Sequence, residues 1–220
     1  MWRRVQRLDS ELMKRLFGTR SPPLDRTLIL ITRAANYSRL WLVIAGTLTI
    51  FGRGRGRRAA GRGLFALVIA AGVANGPAKL LVRRRRPSSR SYPTLIRTPR
   101  STSFPSGHSA AAFAFVTGTC AELPALAPVL VPLAGTVAYS RVHTGVHYPS
   151  DVAVGVAIGI GSGLLAGSKV LSRMWLSDLT HIPAGAVKIR RRTSLSSTAL
   201  TEAIWVHTVE ARCALDLRCA

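Results

Sequence analysis

Residues 140–167 read SRVHTGVHYPSDVAVGVAIGIGSGLLAG. The second half is an apolar, glycine-rich run of the kind that crosses a bilayer, where a helix needs about 20 residues to span a core of roughly 30 Å. The first half places Arg141, His143, His147 and Asp151 directly ahead of it. Ionisable groups at membrane depth are costly, so they tend to be paired and functional. Between Arg26 and Ser177 the only carboxylates are Glu122 and Asp151, and Asp151 therefore needs a partner. His147 lies four residues earlier, with Pro149 between. Pro149 and Ser150 are helix-start residues, which puts Asp151 in the first turn of the last spanning helix and His147 at the close of the preceding loop. A carboxylate bonded to one imidazole nitrogen fixes the tautomer and leaves the other nitrogen as a nucleophile or base. Two such residues alone are better read as a structural pair that anchors a loop; the other clusters in the chain change that reading.

Composition extends this reading. The chain has 220 residues, 48% of them hydrophobic, and a formal charge of +22; its mean hydropathy is +0.24. A soluble protein this basic would be a nucleic-acid binder whose Lys and Arg neutralise phosphates, but such proteins seldom carry long runs of Ala, Val, Leu, Ile and Gly. A membrane protein fits both properties, and no nucleic-acid partner is expected. Cys120, Cys213 and Cys219 form neither an even framework nor a CxxC pair, so neither a disulfide nor a zinc site is predicted. The N-terminal MWRRVQRLDSELMKRLFG lacks the compact apolar core of a cleavable signal peptide. Trp2, Val5, Leu8, Leu12, Leu16 and Phe17 instead recur near helical spacing. Residues 1–23 are thus an amphipathic segment that lies on the membrane or packs on the bundle.

Apolar stretches occupy about 38–51, 61–82, 107–122, 125–140 and 150–171. GRGRGRR at 52–58 separates the first from the second, and Glu122 to Pro124 make a tight turn between the third and fourth. The stretches at 61–82 and 150–171 are long enough to span. The others are short; 24–51 spans only if Arg33, Asn36 and Arg39 face protein. Richness in Ala and Gly favours close helix packing inside a membrane over a soluble bundle. The prediction is an all-α polytopic membrane bundle over 24–171, followed by a basic tail, 172–220, with no assigned role.

Two further clusters carry chemistry. SFPSGHSAAAF at 103–113 again sets a polar start before an apolar helix, with His108 in the first turn. Backbone N–H groups at a helix start and the positive end of its dipole attract an anion, and Gly107 lets a phosphate come close. KLLVRRRRP at 79–87 ends the helix that begins at 61. There Lys79 and Arg86 are spaced to converge on one oxyanion, with guanidinium geometry suited to bidentate phosphate contact.

Taken together these clusters resemble the signature of the type 2 phosphatidic acid phosphatases and their vanadium haloperoxidase relatives. The signature reads here as Lys79-x6-Arg86-Pro87, Pro105-Ser106-Gly107-His108 and Ser140-Arg141-x5-His147-x3-Asp151, in the family's order. The wording also resembles the phosphatase half of actinobacterial proteins that fuse this domain to a diacylglycerol kinase domain, although no kinase domain is expected here. The resemblance implies an active site at one membrane interface and dephosphorylation of a lipid through a phosphohistidine, without metal or other cofactor. His147 would attack phosphorus, Asp151 would orient and charge it, and His108 would protonate the leaving oxygen. Lys79, Arg86, Ser106, Gly107 and Arg141 would hold the phosphoryl oxygens. His143, outside the signature, is expected to line the pocket or meet solvent. Arg83, Arg84, Arg85, Arg90, Arg97 and Arg100 are expected to touch headgroups or loops. The substrate class is a phosphorylated lipid in the bilayer; a polyprenyl pyrophosphate-specific phosphatase and a catalytically silent membrane protein are the alternatives. A haloperoxidase would share the anion pocket but is normally larger and soluble. The family tips the topology toward a plasma (inner) membrane protein whose active site is extracytoplasmic, because the catalytic loop's own arginines weaken the positive-inside signal.

Overall fold

The computed structural model describes residues 2–87, 92–99 and 101–168; Arg90, Arg100, Cys213, Cys219 and the tail at 172–220 lie outside these. The described residues all fall within one compact unit, Met1–Leu176. All regular structure among the described residues is helical: α1 (Trp2–Gly18), α2 (Pro22–Ala34), α3 (Arg39–Phe51), α4 (Arg53–Asn75), α5 (Pro77–Leu81), α6 (Gly107–Glu122), α7 (Ala127–His143) and α8 (Pro149–Ala166).

Helix α6 is the axis of the bundle, packed by α4, α7 and α8. Small residues make that packing close. A Cβ on Gly155 would meet the carbonyl oxygen of Ser106 at 2.5 Å, and one on Gly159 that of Ala110 at 2.5 Å, so glycine one turn apart along α8 is what lets its backbone rest on α6. Ala66, Ala70 and Ala74 of α4 meet Ala110 and Ala114 of α6 in the same way. On the other side of α6, Phe115 stacks on Trp41 of α3 with ring centroids 5.4 Å apart, over Leu130, Ala134 and Val137 of α7. Val68, Val73, Val129, Ile160, Leu164 and Leu165 point outward, as expected of helices solvated by lipid.

Among the described residues three segments are long and apolar enough to cross a membrane: Arg53–Leu81, Pro124–His143 and Pro149–Ala166. The second exceeds its expected length mainly at its far end, where α7 runs on to His143. Helices α2 and α3, bent by 61° at Asn36–Ser38, make a fourth span if taken together. One boundary differs from expectation. The GRGRGRR stretch is not a loop: the break is Gly52, and α4 already begins at Arg53. A side chain at Gly56 would strike the Leu48 carbonyl at 2.5 Å, so this glycine permits a tight α3–α4 corner while the intervening arginines, good helix formers, continue the helix. At that end of the bundle Glu122 accepts from Arg62 at 2.6 Å. The motif residues gather at the opposite end, where α5 ends, α6 begins, α7 ends and α8 begins.

Candidate active site

Six of the predicted site residues, Lys79, Arg86, Gly107, His108, Arg141 and His147, line one cavity of about 250 Å³, joined there by Asn75, Tyr37 and Ser101 among others. A neighbouring cavity of about 450 Å³ shares His108, Arg141, Tyr37 and Pro99 and adds Arg33, Asn36 and Arg97. Ser106 and Asp151 stand behind the first wall. Ser106 is fully buried; its hydroxyl lies 2.9 Å from that of Ser109, and its N–H donates to the Asp151 carbonyl at 3.0 Å. Its structural work is to cap α6 and join it to α8.

The cavity cations are held without being neutralised. Lys79 donates to Asn75 Oδ1 at 2.9 Å. Arg86 donates to the carbonyls of Ser101 at 2.9 Å, Val146 at 2.8 Å and Thr102 at 3.1 Å. Arg141, 2% exposed, donates to Thr32 Oγ1 at 2.6 Å, and its Nε has no hydrogen-bond partner. None of the three forms an ion pair with a carboxylate of the described residues. Burial also pushes the Arg86 guanidinium below its ordinary range, with the distant charge of Asp151 acting the other way. Buried cations without counter-ions make a strong anion site.

His147 faces this cluster from the loop between α7 and α8. Its Nε2 lies 3.1 Å from Arg86 Nη1. A guanidinium can only donate, so Nε2 carries the lone pair and the neutral ring's proton sits on Nδ1. Asp151 Oδ2 lies 3.8 Å from Nδ1, too far for a hydrogen bond, and Nδ1 has no hydrogen-bond partner. Burial pushes the His147 pKa down to about 4, the nearby Arg141 and Arg86 adding to the effect and Asp151 opposing it. The imidazole is therefore uncharged at neutral pH. His108 is tied to α2's end by Asn36 Oδ1, 3.0 Å from Nε2.

Asp151 sits in the first turn of α8, as its sequence context implies, and Oδ2 accepts from Tyr148 N at 3.0 Å. Its nearest charged partner is not the expected one. Arg84 Nη1 donates to Asp151 Oδ1 at 2.8 Å and Arg84 Nη2 to Asp9 Oδ2 at 2.6 Å. The expectation that Arg84 touches headgroups is thus corrected: its side chain is 7% exposed. The reason is local geometry. Val82 is extended, the residue before Pro87 is steered away from helix, and along 83–86 exposure alternates, with Arg83 and Arg85 outside and Arg84 and Arg86 turned in. Two-residue periodicity counted back from Arg86 was the signal in the sequence that singles out Arg84.

His143 is likewise corrected. It neither meets solvent nor lines either cavity; it is 1% exposed, and its Nε2 lies 2.6 Å from Asp25 Oδ1 of α2. Arg20 donates to its carbonyl. Asn36 and Thr32 were not predicted as site residues, although Asn36 stood out as a polar residue in an apolar stretch.

Comparison with known proteins places this geometry. No curated protein sequence matches the chain. The crystal structure of a transmembrane PAP2-type phosphatidylglycerolphosphate phosphatase from Bacillus subtilis matches with a TM-score of 0.60 and 23% identity, over 81% of this chain and 89% of that one. The crystal structure of Aquifex aeolicus LpxE matches with a TM-score of 0.55 and 24% identity, over 71% and 92%. These likenesses establish a shared fold. The family described as PAP2 superfamily matches residues 60–175.

Proposed function

This chain belongs to the PAP2 superfamily, and on that premise we propose that it is a phosphatase that hydrolyses a phosphate monoester or pyrophosphate on a membrane lipid through a phosphohistidine. The observation that carries the reading is a cavity lined by Lys79, Arg86 and Arg141, cations with no carboxylate partner among the described residues, beside His147 with its Nε2 3.1 Å from Arg86 Nη1. In the reaction His147 Nε2 attacks phosphorus and the bond from phosphorus to the ester oxygen breaks. Burial and the nearby Arg141 push the His108 pKa down to about 3, so His108 takes up a proton as the phosphate anion binds beside it and then gives that proton to the leaving oxygen. Water then attacks the phosphohistidine, His108 takes the water's proton back, and inorganic phosphate leaves with His147 restored. Arg86 and Arg141 stabilise charge as it builds on the phosphoryl oxygens. Asp151 balances the imidazolium character that His147 acquires. The residue set contains cationic and N–H ligands for phosphate, while among the described residues no group of three or more His, Cys, Asp or Glu converges.

The working unit in this reading is 24–171, with α1 at the interface and the active site on the extracytoplasmic side of the plasma membrane. The substrate panel is phosphatidylglycerolphosphate, the lipid in the name of the Bacillus subtilis phosphatase, together with phosphatidate and a polyprenyl pyrophosphate. Purified protein in detergent should release phosphate from at least one of them with EDTA present, and vanadate should inhibit, since it mimics the five-coordinate phosphoryl group. An absolute requirement for magnesium would sink the mechanism.

A further inference from the structure

The carboxylate behind His147 does not act alone. Asp9 of α1 is 2% exposed, in a helix whose neighbours Arg3, Arg4 and Arg7 are all exposed. A buried aspartate is not what an amphipathic interfacial helix needs. Asp9 reaches the start of α8, accepting from Ser150 N at 2.9 Å and Ser150 Oγ at 2.6 Å, and it shares Arg84 with Asp151. The Arg84 guanidinium also lies over the Tyr148 ring, 4.0 Å from its centroid, and 5.2 Å from that of Trp2, contacts that add to its two carboxylate bonds.

We infer that Asp9 and Arg84 are positioning residues that set the orientation and effective charge of Asp151, making the N-terminal helix a part of the catalytic apparatus. The inference rests on the proposed role of His147 and Asp151. Arg84 holds Oδ1 and the Tyr148 N–H holds Oδ2, which together keep the carboxylate 3.8 Å from His147 Nδ1. With Arg84 alone, Asp151 would belong to a neutral pair and would do little for a developing imidazolium. Asp9 takes up the second edge of the guanidinium, so the three groups together retain a net negative charge beside His147. That charge is of use only when His147 becomes cationic, on accepting the phosphoryl group. Residue 9 lies outside the 60–175 segment that matches the family, so this support comes from a helix that the family match does not include.

The test is a double-mutant cycle on the full chain in detergent, with a short-chain phosphatidic acid as the probe. Asp9→Asn is nearly isosteric; it should lower kcat roughly tenfold, the lower end of what an outer carboxylate partner contributes at other sites, and leave KM close to wild type. Asp9→Glu should restore most of the loss. In an Asp151→Asn background Asp9→Asn should cost nothing further, because the residue through which it acts is gone. Equal kcat losses in both backgrounds would overturn the inference, as would unchanged kcat accompanied by lower thermal stability, which would mean that Asp9 only docks the helix. Turnover by wild type that His147→Ala abolishes keeps the functional reading standing whatever Asp9 does; no turnover by wild type overturns both.

Discussion

The helices before residue 52 and the family-matched stretch 60–175 contribute to one site in different ways. The matched stretch supplies the groups that face the cavity: Lys79, Arg86, Gly107, His108, Arg141 and His147. The N-terminal helices mostly hold such groups from behind. Asp9 binds Arg84, Asp25 binds His143, Thr32 binds Arg141 and Asn36 binds His108. Asp9 and Asp25 are spent on a cationic and an imidazole group that do not line the cavity, and the cations that do line it have no carboxylate partner among the described residues. The difference teaches how a very basic protein can fix its site firmly without filling its own anion pocket with a carboxylate.

Substitutions can break that division of labour, and the largest effect belongs to the cavity-facing side. His147→Ala should lower turnover on the order of 10⁴-fold or more, the scale of removing a nucleophile that acts with its partners as a unit, and rapid-quench labelling should find no acid-labile phosphoprotein. Label that persists in His147→Ala protein would assign the nucleophile elsewhere. Arg141→Ala should cost about 10²–10³-fold in kcat, as removal of one preorganised charge donor does.

Next comes the supporting side. Arg84→Ala leaves Asp9 and Asp151 buried without a cation, and breaking a buried pair from one side costs about 3–5 kcal/mol. Thermal unfolding in detergent should therefore drop well below wild type, while Arg83→Ala, on the exposed side of the same run, should not move it. Similar midpoints for both variants would mean that the arginine run acts as an undifferentiated patch. A smaller loss is expected from Asp25→Asn, about 1 kcal/mol, since the amide can still hydrogen-bond the buried His143 ring. The same melting experiment decides it, and a loss as large as that of Arg84→Ala would place the two carboxylates on an equal footing.

The remaining test is pH dependence. His147 titrates near its ordinary 6.5 in the unfolded chain and at about 4 in the folded one. Between those values the unfolded state binds the extra proton, so this residue's contribution makes stability fall as pH drops from about 6.5 toward 4. Comparing wild type with His147→Gln across that window should show a steeper fall for wild type. Parallel curves would mean that the folded imidazole takes up its proton as readily as the unfolded one.

Much of this was legible because its signals are local. Apolar runs, Pro149 and Ser150 before Asp151, and Pro105 and Ser106 before His108 fix a helical membrane bundle and place the motif residues at helix starts and ends, with no knowledge of what packs on what. The glycine–arginine stretch at 52–58 misled because helix continuation there depends on how closely α3 and α4 approach, a matter of packing. Partnership depends on the tertiary structure for the same reason. Asp9 is 142 positions from Asp151 by number and Asp25 is 118 from His143, and only the path of the chain decides which carboxylate meets which cation. Four adjacent arginines are chemically identical in the sequence; the extended backbone at 83–86 turns two of them inward and two out, and there Arg84 meets Asp9 and Asp151 in a low dielectric that strengthens pairing which water would have screened outside, while Arg86 is held by backbone carbonyls.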